Sequence, residues 1–235
     1  MTRYALYFAP PERSVWWRFG GSWLGRDAAT GAALPHPDVP GVPSEIFRSL
    51  TETPRRYGFH ATVKAPFALR PGATRDGLAA AIERFCAPRA PFQVPRLEVT
   101  RIDDFLALAP VARESRINDL AAECVRDFEP FRAPLDAAEL ERRRRAGLSP
   151  RQDRYLEEFG YPFVLAEFRF HLTLTGSIDG TPPQIVAAVR AAAQRAVAAL
   201  ADEPLQFDAL ALFEQPAREA PFRLVARFPF GGRGA

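Results

Sequence analysis

Lysine is almost missing from this chain: Lys64 is the sole example among 31 basic residues in a length of 235. The basic character is therefore nearly all arginine, and 28 acidic residues reduce the net charge to +3. That balance favours an anionic ligand but lacks the dense, aromatic-interleaved basic stripe of a nucleic-acid binder, so no stable nucleic-acid complex is expected. Cysteine is scarce too. Cys86 and Cys124 stand far apart with no Cys-x-x-Cys spacing, which argues against a disulfide framework or a zinc knuckle and leaves two buried free thiols as the expectation. No apolar run approaches the roughly 20 residues of a bilayer span. The opening stretch MTRYALYFAPPERS has none of the basic, apolar and small-residue succession of a secretory leader, so a cytoplasmic protein without membrane contact is expected, and a monomer is the expected oligomeric state. Histidine occurs only three times.

What is present is an ordinary globular composition, 47% hydrophobic and 25% charged, long enough for one large domain or two small lobes. Residues 3–8 (RYALYF) read as a strand ending at Pro10-Pro11. A Gly- and Pro-rich stretch follows to about residue 55. Trp16, Trp17 and Trp23 lie along it, and the expectation is an ordered loop packed near a cleft. From Phe59 a pattern appears twice. FHATVKAPF is a strand, DGLAAAIERFCA an amphipathic helix, and FQVPRLEVTRI and FLALAPV are strands. Later FRFHLTLTG is a strand, IVAAVRAAAQRAVAALA a helix with proline at its start, and LQFDALALFEQ and FRLVARFPF are strands. The repeated order predicts an α+β fold: one bilobal, pseudo-twofold domain over 1–235 with mainly antiparallel sheets, flanking helices and a cleft between lobes. The first-motif lobe is placed at about 55–112 and the second at about 161–230. A helical insert at about 113–160, a packing element or a lid, separates them. Its dense run Arg142-Arg143-Arg144-Arg145 reads as a solvated helix face with Glu–Arg pairs.

Both repeats carry His-x-Thr in the strand. Residues two apart share a strand face, so His60, Thr62 and Lys64 are predicted on one face and Arg169, His171, Thr173 and Thr175 on the other strand's equivalent face. With ten threonines in the chain, two of three histidines preceding a threonine by two residues has a chance probability of roughly half a percent. His36, in a Pro-rich loop, reads as packing. Two imidazoles facing one cleft suit in-line attack on a phosphodiester, one accepting a proton and one donating it near neutral pH. Threonine hydroxyls can bind the non-bridging oxygens. Lys64 and Arg169 would add positive charge, with a solvent-facing Lys64 as the alternative; Arg55 and Arg56 would hold a second anionic group or stand as solvated loop residues, and Tyr57 or Trp23 would stack a base.

HATV and HLTL resemble the paired motifs of the 2H phosphoesterase superfamily. RYALYFAP, SWLGRD, RRYGFHATVKAPF, LSPRQ and FGYPFVLAEFRFHLTLTG resemble one branch of it, associated with bacterial phosphonate-utilisation operons. The resemblance implies a bilobal α+β fold, catalytic positions at His60, Thr62, His171 and Thr173, and no metal or other cofactor. It also implies a cyclic phosphodiesterase that opens 5-phosphoribosyl 1,2-cyclic phosphate. Two alternatives stand beside it: a 2′,3′-cyclic nucleotide or RNA-end phosphodiesterase like the 2′-5′ ligases, and a non-catalytic nucleotide- or RNA-binding module. A zinc hydrolase is disfavoured, since the motifs supply two histidines and no acid where such sites use three protein ligands. The expected partner is a small phosphorylated sugar or a cyclic nucleotide.

Overall fold

The computed structural model describes residues 1–145 and 147–232; residue 146, in the expected insert, and residues 233–235, at the end of the expected domain, lie outside the described residues. In chain order the first half holds β1 Arg3–Phe8, α1 Val15–Leu24, α2 Ser44–Arg55, β2 Ala61–Phe67, α3 Arg75–Cys86, β3 Phe92–Gln93, β4 Leu97–Ile102 and β5 Phe105–Pro110. Three helices follow, α4 Ser115–Asp127, α5 Ala137–Arg144 and α6 Pro150–Phe159. The chain continues through β6 Leu172–Thr173, α7 Pro183–Ala198, β7 Gln206–Phe207, β8 Ala209–Gln215 and β9 Arg223–Pro229.

The fold is α+β, with every strand pair antiparallel. One sheet has the order β2-β1-β8-β9, another β4-β5-β6, and β3 pairs with β7. Each sheet thus mixes strands from both halves of the chain. The lobes expected as consecutive stretches interleave instead: β8 and β9 complete the sheet of the first motif, and β4 and β5 carry the second. Short turns dictate that β4 pairs with β5 and β8 with β9, but not which motif strand each hairpin joins.

In β1, period-2 alternation sends Leu6 and Phe8 into the main core, while Ala5 and Tyr7 point to the opposite face of the sheet. The main core lies between the two larger sheets and the apolar stripes of α3, α4 and α7, with Leu78, Ile82, Leu120, Cys124 and Val189 among its members. Cys86 and Cys124 are buried free thiols.

The stretch expected as a loop to residue 55 contains α1 and α2. Ser14 caps α1 by accepting from Trp17 N, and Gly25 ends it at φ 73°. Gly20 and Gly21, which suggested a loop, lie inside α1. A Cβ on Gly20 would sit 2.0 Å from Phe59 Cγ, so this glycine lets the helix approach the residue next to His60. The second motif strand is shorter than expected. Only Leu172–Thr173 is regular, because the N–H groups of Leu174 and Thr175 both turn to Leu106 O and break the register.

Candidate active site

His60 sits at the entry to β2, where Phe59 turns into the core and His60 to the opposite face. Its ring stacks on Tyr7 at 3.7 Å between centroids, 27° from parallel. Nδ1 lies 2.8 Å from Gly58 O. A carbonyl only accepts, so Nδ1 carries the hydrogen and Nε2 keeps its lone pair. That lone pair meets Thr62 Oγ1 at 3.3 Å. His171 repeats the arrangement at the entry to β6: Nδ1 donates to Arg169 O at 2.8 Å, leaving Nε2 free, and Phe105 stands 5.5 Å from its ring.

His60, Thr62, His171, Thr173 and Thr175 line one cleft of about 640 Å³, within the range of small-ligand sites. Burial pulls His60 down to about 4; the Gly58 carbonyl opposes this, and the nearby His171 charge adds to it. Burial likewise lowers His171, opposed first by the Arg169 carbonyl and more weakly by Asp103, while the Arg169 guanidinium adds to the lowering. Both imidazoles therefore favour the neutral form, His60 the more deeply buried of the two. Thr175 is buried, and its Oγ1 accepts from Leu106 N at 2.9 Å.

Several expected site residues lie elsewhere. Lys64 is 3% exposed and turns from the cleft, its Nζ 3.0 Å from Val125 O and 2.9 Å from the Glu129 carboxylate. The cause is a bulge: Tyr7 pairs with Thr62 but Leu6 with Lys64, so one step on β1 matches two on β2 and the alternation fails. The ammonium thereby reaches a carbonyl in the last turn of α4, where the helix end favours a cation. Arg55 lines a separate cavity beside His36, and Arg56 pairs with Glu219. Trp23 is buried and donates from Nε1 to Leu174 O at 3.0 Å, pinning the backbone beyond the second motif. Arg169 borders an adjoining cavity that shares Thr62 and His171 with the cleft. Tyr57 does line the cleft.

Arg3, Tyr7, Tyr161, Arg142 and Arg143, none of which the sequence singled out for the site, line it as well. The Glu–Arg pairs expected for the arginine run are present: Glu139 bonds Arg142 and Arg143, and Glu141 bonds Arg144. Arg144 also joins α5 to α6 through Asp153. The Glu139–Arg143 spacing of four was the available signal for a pinned arginine. Which way that face points depends on packing. Among the described residues, no three His, Cys, Asp or Glu side chains gather in a way that would hold a metal ion, and no helix is long and apolar enough to cross a membrane.

A family model described as "Protein of unknown function (DUF1045)" matches residues 62–223. A protein named ribose 1,5-bisphosphate phosphokinase PhnN, from Janthinobacterium sp. (strain Marseille), is 42% identical over 235 residues, 100% of this chain and 52% of the relative. One of the same name from Laribacter hongkongensis (strain HLHK9) is 34% identical over 223 residues, 94% of this chain and 50% of the relative. The chain thus spans about half the length of the curated relatives it matches.

Proposed function

We propose that this chain, which belongs to the family described as protein of unknown function (DUF1045), hydrolyses the cyclic phosphodiester of a phosphorylated sugar with His60 as base and His171 as acid. One observation carries the reading. Two imidazoles in a single cleft each have Nδ1 tied to the carbonyl two residues earlier, which presents Nε2 as the working nitrogen on both sides. In the reaction, His60 Nε2 takes a proton from water as the water oxygen bonds to phosphorus. His171, protonated, gives its Nε2 hydrogen to the ring oxygen as the phosphorus–oxygen bond breaks. The products are a phosphomonoester and a free hydroxyl. The deeper burial of His60 suits the partner that must be neutral, and His171, less deeply buried, is the easier of the two to protonate although burial lowers it as well. The Thr173 hydroxyl donates to a non-bridging oxygen, where charge accumulates, and the Thr62 hydroxyl turns from His60 Nε2 to the other when substrate binds, freeing the Nε2 lone pair for the water proton.

The resemblance to phosphonate-utilisation proteins supports 5-phosphoribosyl 1,2-cyclic phosphate as substrate, and the relatives' names supply a direction for ring opening. Breaking the bond from phosphorus to O2 leaves ribose 1,5-bisphosphate, the compound in both names; breaking the bond to O1 would leave the 2,5-bisphosphate. The kinase activity in those names is assigned to the rest of their length. This chain has no Gly-x-x-x-x-Gly-Lys phosphate loop, and its one lysine is buried against Glu129. A second reading, a 2′,3′-cyclic nucleotide phosphodiesterase, draws support from Tyr57 and Phe163 in the cleft, where a base can stack.

Phosphorus NMR of the product, formed with excess chelator present, tests the proposal. Ribose 1,5-bisphosphate is the expected product. Activity that chelator removes and a divalent metal restores overturns the two-histidine mechanism, and faster turnover of 2′,3′-cyclic AMP moves the assignment to the second reading.

A further inference from the structure

The cleft holds more positive charge than one cyclic phosphodiester can use. Such a diester carries a single negative charge, already met by two imidazoles and two hydroxyls. Arg3, Arg142 and Arg143 line the same cleft, and the only carboxylate bonded to any of them among the described residues is that of Glu139. We propose that Arg142 and Arg143 on α5, with Arg3 on β1, form a second anion subsite that grips a phosphomonoester elsewhere on the substrate. This rests on the cyclic phosphodiesterase reading and adds to it the part of the substrate that confers specificity.

Each guanidinium is oriented by a partner that leaves donors over. Arg142 uses Nε and Nη2 on Glu139, at 2.9 and 2.5 Å, and its Nη1 has no partner among the described residues. Arg143 uses Nε on Glu139 at 3.0 Å and Nη1 on Gly160 O at 2.5 Å, leaving Nη2. Glu139 is itself held at about 2, chiefly by its bond to Arg142, so it stays an anion and keeps both forks in place at any working pH. Arg3 is fixed by a neutral group: Nε and Nη2 both donate to Gln215 Oε1, while the Gln215 amide nitrogen donates to Arg218 O and Ala220 O. The Gln215 amide therefore cannot flip, and the Arg3 charge is oriented without being neutralised.

A chain of aromatic contacts runs from His60 to Arg3. Tyr7 stacks on His60, Phe222 lies 6.2 Å beyond Tyr7, and Arg3 stands 5.7 Å from Phe222. Arg3 therefore addresses a group set apart from the phosphorus beside His60, and Arg142 and Arg143, pinned to Glu139 on the wall of the same cleft, complete the fork that receives it. The ligand chemistry that matches is a phosphomonoester, near −2 at neutral pH with three acceptor oxygens for a planar fork. Arg142 remains 54% exposed beside its carboxylate, so its free edge is open to an incoming anion.

The test compares two substrates, 5-phosphoribosyl 1,2-cyclic phosphate and ribose 1,2-cyclic phosphate, on wild type and on the Arg142→Gln/Arg143→Gln and Arg3→Gln variants. The expected result is a fall of roughly tenfold to a hundredfold in kcat/KM for the phosphorylated substrate, carried by KM, with the unphosphorylated one unchanged. An equal fall on both substrates overturns the subsite, because it would mean that the arginines serve the scissile phosphate or the fold. Arg142→Glu, at an exposed position, repeats the test if the double variant does not fold. If wild type opens neither substrate, the reaction proposed above fails, and calorimetric binding of ribose 5-phosphate then decides the subsite. Binding weakened roughly tenfold or more in Arg142→Glu supports it, and unchanged affinity overturns it.

Discussion

A ring nitrogen tied to a carbonyl decides what a histidine can do, and this chain does it twice with the same two-residue spacing. If Nε2 of His60 and of His171 are the working atoms, either alanine variant loses turnover by about 10²–10⁴-fold, the range for a positioned acid or base. Thr62→Ala and Thr173→Ala lose less, each removing one donor to the non-bridging oxygens. Steady-state kinetics check this, and wild-type turnover in either histidine variant would end the mechanism. Burial also shifts the pH dependence expected from two ordinary imidazoles, whose optimum would lie near neutrality. With His60 near 4 and His171 below its usual value, the base is neutral down to about pH 4 and the acid is charged only on the acid side of 6.5. The kcat/KM profile should therefore peak between those limits, while kcat peaks at higher pH because the bound anion raises both groups. Lys64 makes the contrary case. Because it faces Val125 O and Glu129, Lys64→Met should cost about 1–3 kcal/mol of stability for acceptors left short of a donor and leave kcat/KM near wild type.

The elements around the site are positioned by small departures from regularity. The bulge in β2 opposite Leu6 and Tyr7 turns Lys64 toward α4. In α1, Gly20 gives up helix propensity so that Phe59 can pack directly on the helix backbone. Gly20→Ala, which would improve helix propensity in isolation, should instead destabilise the protein by about 1–3 kcal/mol, because a methyl there overlaps the Phe59 ring. Moving Phe59 moves His60, so kcat should fall together with the denaturation midpoint. A stabilised, fully active Gly20→Ala protein would show that this contact is not what α1 requires. The arginine run of α5 acts on the same scale. Three of its members are pinned by neighbouring carboxylates, and two of these also border the cleft.

At the scale of the whole molecule, the buried histidine links function to acid stability. His60 has a folded-state value of about 4 against an ordinary 6.5, so as pH falls through 6.5 the unfolded chain binds a proton that the native protein refuses. Stability is therefore complete above 6.5 and declines down to about pH 4, by on the order of 3 kcal/mol from this residue alone. Chemical denaturation at pH 7 and pH 4 checks this. His60→Gln should lose less stability between the two pH values than wild type, and an identical loss would show that other groups drive the acid transition.

Some of this was decided by sequence alone. Period-2 alternation marked the core and polar faces of the motif strands, a proline marked the start of α7, and the two His-x-Thr pairs marked residues that share a cleft. These are local signals, set by the geometry of a few consecutive residues. The sheet partners of β4, β5, β8 and β9, the inward turn of Lys64 and the arrival of Arg3, Arg142 and Arg143 beside the histidines were decided only by the tertiary structure. Each depends on which distant surfaces come together: Leu6 opposite Lys64, Phe59 against Gly20, α5 over the cleft. Pairing register and packing of that kind bring together residues far apart in the chain, and no short stretch of sequence encodes them.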